Sequence, residues 1–359
     1  MNIAHILFSF ETGGIENLLV DICNNWKQND QILVCIVNKK VNSQLVKKLQ
    51  AQKNIQYCCL NREESGEKIK YIKKLSNILN AFSPDVIHLH NNNIFKFLLP
   101  IKILHPTWKL ILHIHDTNIY KNLSPIDIFL HKVFLKRLIA ISESVRNEIV
   151  NFGGPKKKIR VLYNGVNSDK FHSPVKKDQD CKTVICVARL VPQKKGQDVL
   201  IKAMKIVNRK YSNVKCMIVG AAPSDKPEYR NELELLIKEL DLEQTVFLVG
   251  NSNNVPDLLA ESDILVVPSR YEGFGITVIE GMFAKIPVIA SKIEGPKEII
   301  KDNEYGFLFD VDDVKGLANL IVKMLEADNS VLVEKAYAYA IKNFEINNMI
   351  SQLRNIYME

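Results

Sequence analysis

Glu272 and Glu280, with seven residues between them, bracket the stretch Gly273-Phe274-Gly275-Ile276-Thr277, which follows an apolar run at 264–267. Glycines let backbone N–H groups approach an anion, and a helix start adds a favourable dipole, so strand, glycine-rich turn and helix together are what a phosphate site needs. Gly273, Gly275, Ile276 and Thr277 are predicted to form that cradle. Glu280 falls among Val278, Ile279, Met282 and Phe283, where a carboxylate needs a partner. Sugar and ribose hydroxyls are natural donors to it. The alternative is that Glu280 faces solvent and Glu272 only favours the helix N-terminus.

Further candidates sit on other strand-to-helix loops. Arg189 and Lys195 lie in Cys186-Val187-Ala188-Arg189-Leu190-Val191-Pro192-Gln193-Lys194-Lys195-Gly196, where two cations would clamp a diphosphate and stabilise charge on a phosphate leaving group. Gly13 and Gly14 join a strand to a helix, either for backbone approach to a ligand or as a tight turn. His113 and His115 alternate onto one side of the run 109–115. His115, nearer the carboxyl edge, is the better hydrogen-bonding candidate for a bound sugar.

The chain has neither a GxGxxG fingerprint nor a P-loop, which argues against NAD and P-loop ATP chemistry. It has no HExxH and no Cys/His cluster at zinc spacing, and neither Asp178-Gln179-Asp180 nor Asp310-Val311-Asp312 is assigned to a metal. Asp312 or Asp313 suits a helix N-cap instead. No metal and no cofactor are expected.

The elements that must hold these residues read as βα units, because short β-branched apolar runs alternate with helical-period segments along the whole chain. Strands are predicted near 3–10, 31–37, 55–60, 85–90, 109–115, 138–142 and 159–163, then near 183–188, 214–220, 246–249, 264–268 and 287–291. Ile15, Leu18, Leu19, Ile22 and Trp26 form one helical stripe. Helices are predicted near 196–210, 228–239, 255–262, 277–284 and 313–326, with the last 30 residues also helical. The fold class is α/β, two Rossmann-like domains facing across a cleft. The expected bounds are 1–167, a polar linker 168–182 containing Pro174, a second domain 183–342, and a C-terminal helix 343–359. The seven cysteines form no CxxC pair and read as small buried hydrophobes.

At 359 residues, 47% hydrophobic and 25% charged, the chain suits two soluble domains. No run approaches a membrane span. No signal peptide is read at Met1, and a cytoplasmic location is expected. Residues 61–160 hold 17 Lys and Arg against 8 Asp and Glu, more than the whole net charge of +8. Such a basic half suits anionic lipid, and nothing in it resembles a nucleic-acid-binding motif, so no nucleic-acid partner is expected. The plain alternative is a solvated basic face. The stretch 93–104, mixing Phe95, Phe97 and Leu98 with Lys96 and Lys102, is expected to touch the inner face of the cell membrane peripherally, unless it is a buried helix with snorkelling lysines.

Together these segments resemble, over nearly the whole chain, the retaining glycosyltransferases of family 4, which have the GT-B fold. The resemblance implies that Glu272 contacts the donor sugar, the backbone of Phe274 through Thr277 contacts sugar or phosphate, and Glu280 holds the ribose. Arg189 and Lys195 match the basic pair that binds the diphosphate, Gly13-Gly14 a loop near donor phosphate and acceptor, and His115 a histidine at the donor sugar. Tyr163-Asn164-Gly165-Val166 matches the block closing the first domain, and the last helix is implied to cross back to it. Ala188, Asn167, Lys285 and Glu294-Gly295 depart from the pattern, the last two near the expected donor side. The implied activity is transfer of a hexosyl or N-acetylhexosaminyl group, preferably from a UDP-sugar, to a saccharide or lipid-linked saccharide in polysaccharide or lipopolysaccharide assembly. Epimerase or phosphorylase chemistry on the same fold, or a non-catalytic nucleotide-sugar-binding subunit, are the rival readings.

Overall fold

A computed structural model of the chain describes residues 1–11, 13–27, 29–50, 53–63, 67–172 and 181–359. Thr12, Asp178-Gln179-Asp180 and most of the expected linker (173–180) lie outside the described residues. The chain divides into two compact units, Met1–Val166 with Ile346–Glu359, and Asn167–Glu345.

The first unit is built on β1 (Asn2–Leu7), β2 (Gln31–Asn38), β3 (Ile55–Arg62), β4 (Val86–Leu89), β5 (Lys109–Ile114), β6 (Arg137–Ala140) and β7 (Ile159–Val161). They form one parallel sheet in the order β3-β2-β1-β4-β5-β6-β7. After Gln31, every residue of β2 is buried, as expected of a parallel sheet covered on both faces. The stripe read from sequence is the inner face of the helix Gly14–Asn25: Leu18, Leu19 and Ile22 are buried, with Trp26 just beyond its end.

The chain's last helix, Ile346–Met358, belongs to this unit and buries Ile346, Met349, Ile350, Leu353, Ile356 and Tyr357 in the same core. Gly165 makes the docking close. A Cβ there would stand 2.8 Å from Ile346 Cα, while Ile346 N–H donates to Val166 O at 3.1 Å.

The second unit repeats the plan with β8 (Lys182–Val187), β9 (Val214–Val219), β10 (Val246–Gly250), β11 (Ile264–Val267), β12 (Val288–Ser291) and β13 (Phe307–Phe309), parallel in the order β10-β9-β8-β11-β12-β13. β13 is an addition to the sequence reading, which passed over a three-residue strand. Each sheet reverses strand order once, between β1 and β4 and between β8 and β11. The carboxyl edge beside such a switch point is where open α/β sheets bind ligands.

Candidate functional site

In the second unit the switch point gathers the residues singled out by their chemistry. β11 runs into the loop carrying Glu272, and the helix Ile276–Phe283 starts directly after Gly275, whose φ of 107° suits glycine. The first turn of a helix presents N–H groups that have no intrahelical acceptor. Gly281 brings this helix onto the sheet, since a Cβ there would meet Leu265 Cδ2 at 2.5 Å. Glu280, one residue before it, is half-buried, neither enclosed nor freely solvated.

From β8 the chain passes through Arg189 into a short helix, Pro192–Lys195, ended by Gly196 at φ 66°. A Cβ on Gly196 would lie 1.9 Å from the Pro268 carbonyl oxygen, so only glycine lets this loop rest against the end of β11. Arg270 fastens the two loops. Its N–H donates to Lys194 O at 2.8 Å. Its guanidinium grips Asp198 through two 2.9 Å bonds, Asp312 at 2.7 Å and Pro192 O at 2.6 Å. Burial alone would raise the Asp198 pKa, but the hydrogen bonds and charge of Arg270, with Lys202, outweigh it and leave this carboxylate below its usual range.

That clamp delivers Lys195 to Glu272. Their charged atoms are 2.5 Å apart, with Ser269 Oγ donating to the same carboxylate oxygen at 3.4 Å. Arg189 is exposed and forms no ion pair with a described residue. The first turn of the helix Glu294–Ile300 closes on the glutamate turn, because a Cβ on Gly295 would meet Phe274 O at 2.5 Å and Glu272 O at 2.9 Å. An ammonium, a guanidinium, a carboxylate and a helix start thus share one sheet edge, a set suited to an anionic ligand that also carries hydroxyls.

Several expectations need correction. Lys285 does not turn towards the glutamate loop: its ammonium bonds Glu334 at 2.7 and 3.0 Å and lies 4.5 Å from the Tyr337 ring centre. Its φ of 54° accounts for a glycine being usual at this place in the resemblance. The N-cap expectation for Asp312 or Asp313 holds at the second of the pair: Asp313 caps the helix Val314–Glu326, accepting from Gly316 N–H at 2.9 Å. In the stretch 93–104, Ile94, Phe95, Phe97, Leu98 and Ile101 are core, and Lys102 is 8% exposed, spending its ammonium on the Pro106 and Trp108 carbonyls instead of snorkelling.

The first unit holds its own set. Gly13 is extended at φ −161°; a Cβ on it would strike the Glu16 carboxylate at 2.4 Å, whereas Gly14 borders open space. His115 follows β5 and is half-buried, its Nε2 standing 3.1 Å from His90 Nδ1. Burial lowers its pKa to about 3 against the pull of Asp116, so it serves as a neutral hydrogen-bonding group. Four more imidazoles, His5, His88, His90 and His113, are buried beside it. His5, His88 and His90 were missed in sequence because they come from other strands than His113 and His115. The signal was the register, since each alternates with an apolar residue on β1, β4 or β5.

Residues 167–343 match the model of Glycosyl transferases group 1, and residues 12–170 match Glycosyltransferase Family 4. The chain belongs to glycosyltransferase family 4. The glycosyltransferase is similar to the N-acetyl-alpha-D-glucosaminyl L-malate synthase of Bacillus anthracis, with 29% identity over 230 residues, 61% of this chain and 58% of that one. The match therefore spans less than two thirds of the synthase. An uncharacterized glycosyltransferase of Methanocaldococcus jannaschii is 28% identical over 340 residues, 79% of this chain and 82% of its own. Among solved structures, Anabaena HepE in complex with UDP-glucose has a TM-score of 0.86 at 23% identity, covering 99% of this chain and 98% of that one. The likeness extends to the fold, which is GT-B. Among the described residues no helix is long and apolar enough to cross a membrane.

Proposed function

We propose that this glycosyltransferase moves a sugar from a nucleotide-sugar, a UDP-sugar by preference, to a saccharide or lipid-linked saccharide in surface polysaccharide or lipopolysaccharide assembly, with retention of anomeric configuration. The observation that carries the reading is the Lys195–Glu272 pair at the carboxyl edge of β8 and β11, beside exposed Arg189 and the start of the helix Ile276–Phe283. Lys195 and Arg189 bind the diphosphate and stabilise the charge that grows on it as the glycosidic bond breaks. The backbone of Gly273 through Thr277 cradles phosphate and sugar, Glu272 holds donor-sugar hydroxyls, and Glu280 holds the ribose. His115 and the Gly13-Gly14 loop serve sugar and phosphate from the first unit. The acceptor hydroxyl attacks from the face the nucleotide leaves, with no covalent sugar–enzyme intermediate. The sugar moved is a hexose or N-acetylhexosamine. Because fixed cations supply the charge stabilisation, transfer needs no divalent metal. The UDP preference is supported by HepE, whose structure was solved in complex with UDP-glucose.

Attachment to the inner face of an anionic membrane belongs to the same proposal, with a changed surface. On the helix Pro125–Phe134, Ile126, Phe129 and Val133 are 70%, 62% and 52% exposed at helical spacing. Exposed Lys121, Lys132 and Lys136 lie along the same segment. The antiparallel helix Asn92–Leu104, aligned through Asn92–His131 and Lys96–Asp127, adds exposed Ile103 and Leu104. Apolar residues framed by lysines are what a headgroup layer attracts.

The test follows the anomeric proton by NMR while the chain consumes UDP-α-glucose or UDP-α-N-acetylglucosamine, with and without added glycolipid. Release of UDP with an α-linked or first-formed α-sugar product is expected. A β product would remove retention. Conversion without nucleotide release would favour the epimerase reading instead.

A further inference from the structure

Parallel strands in register stack like side chains into a ladder, and here the rungs are imidazoles. His5 pairs with His88 across β1 and β4, and one step beyond the Leu89–Leu112 pair His90 stands beside His113. The rings are close: His88 stacks on His90 at 4.5 Å and His113 lies 3.9 Å from His115. The Nε2 atoms of His5, His88 and His113 are buried without a hydrogen-bond partner. A buried polar atom left so is destabilising, and nothing in the proposed transfer uses these three groups.

We infer that His90, His113 and His115 form a binding site for one divalent first-row transition ion, of the zinc or cobalt class, at the carboxyl edge of the first unit's sheet. One ligating nitrogen from each of the three lies within 4.8 Å of the others. His90 Nδ1 and His115 Nε2 are 3.1 Å apart, near the edge of about 3.3 Å that a tetrahedron with Zn–N bonds of about 2.0–2.1 Å requires. A ring nitrogen of His113, which makes no hydrogen bond through Nε2, supplies the third donor. Burial keeps His90 and His113 neutral, the form that ligates. His90 Nε2 meets His5 Nδ1 at 3.1 Å, the outer hydrogen bond that orients a ligating imidazole. Half-buried His115 gives the ion its way in, and three imidazoles leave a fourth position open. An all-nitrogen set disfavours magnesium and calcium, which take oxygen ligands. Bound metal takes the nitrogen of His115, so it inhibits transfer; that consequence, unlike the site itself, rests on the role proposed for His115.

The full chain, stripped with chelator, is titrated with Co²⁺ by calorimetry and visible absorption. One ion per chain is expected, with ligand-field bands but no thiolate charge-transfer band, displacement by Zn²⁺, and no displacement by Mg²⁺. His113→Ala and the rim variant His115→Gln each weaken binding by at least about tenfold, and His5→Asn by about tenfold. If His113→Ala fails to fold, His115→Gln with an unchanged circular dichroism spectrum carries the test. No saturable binding to the folded chain, a thiolate band, or unchanged affinity in His115→Gln overturns the site. Binding as expected with transfer unaffected by Zn²⁺ leaves the site standing and overturns the role of His115 in transfer.

Discussion

The Lys195 ammonium stands 2.5 Å from the Glu272 carboxylate across 77 residues of sequence. Without a ligand the two charges satisfy each other; an arriving diphosphate competes with Glu272 for the ammonium and leaves the carboxylate to sugar hydroxyls. Lys195→Ala is therefore expected to weaken UDP binding and to lower kcat by roughly 10²–10³. Glu272→Gln frees the cation, so it keeps UDP affinity or raises it while turnover falls. Calorimetry with UDP and initial rates separate the two, and a Glu272→Gln variant that loses UDP binding would sink this division of labour.

The loop bearing Lys195 depends on Arg270 and Gly196. The Arg270–Asp198 pair is about one-fifth exposed on each side, so Arg270→Ala should cost between the roughly 1 kcal/mol of an exposed pair and the 3–5 kcal/mol of a buried one. Gly196→Ala adds a left-handed backbone cost of about 1–2 kcal/mol to a collision with Pro268 O. Urea unfolding should show both variants less stable than wild type. Wild-type stability in either would mean that the loops are held by something other than this clamp.

The two sheets, the glutamate turn and the cationic loop were legible in the sequence because each is local: a β-branched run, a glycine turn and a helical stripe within some 20 residues. What remained hidden was joined at a distance. Arg270, two residues before Glu272, drew no role from the sequence, since Asp198 and Asp312 meet it only after folding. The imidazole ladder needed strand register, which no single strand declares. The stretch 93–104 offered both a buried helix and a surface one, and packing against the helix Pro125–Phe134 left its apolar stripe in the core.

His131 provides a pH signature. Its ring is buried between Tyr120 Oη at 2.7 Å and Asn92 Oδ1 at 2.8 Å, and burial lowers its pKa from 6.5 to about 4. In that window the unfolded chain takes a proton that the folded one refuses. The stability contributed is full above pH 6.5 and is lost as pH falls towards 4, by roughly 3 kcal/mol for this group. His131→Gln should have a flatter Tm profile between pH 6.5 and 4. Parallel profiles would show that His131 is not a source of the acid sensitivity.

The membrane reading predicts that the chain sediments with phosphatidylglycerol vesicles at low salt and is released as salt rises. Ile126→Asp with Phe129→Asp should abolish sedimentation while leaving the Tm within about 1 kcal/mol-equivalent of wild type, as for exposed positions. Sedimentation unaffected by both substitutions would move the contact elsewhere, and none in the wild type would remove it.

The most direct measurement is a thermal-shift titration with UDP, GDP and ADP on the wild type and Arg189→Ala. At 100 times its dissociation constant a nucleotide stabilises the folded chain by about 2.7 kcal/mol. The account predicts a shift with UDP that is lost in Arg189→Ala. No shift with any nucleotide, or a UDP shift that persists undiminished in Arg189→Ala, would contradict the assignment of this loop to the donor diphosphate.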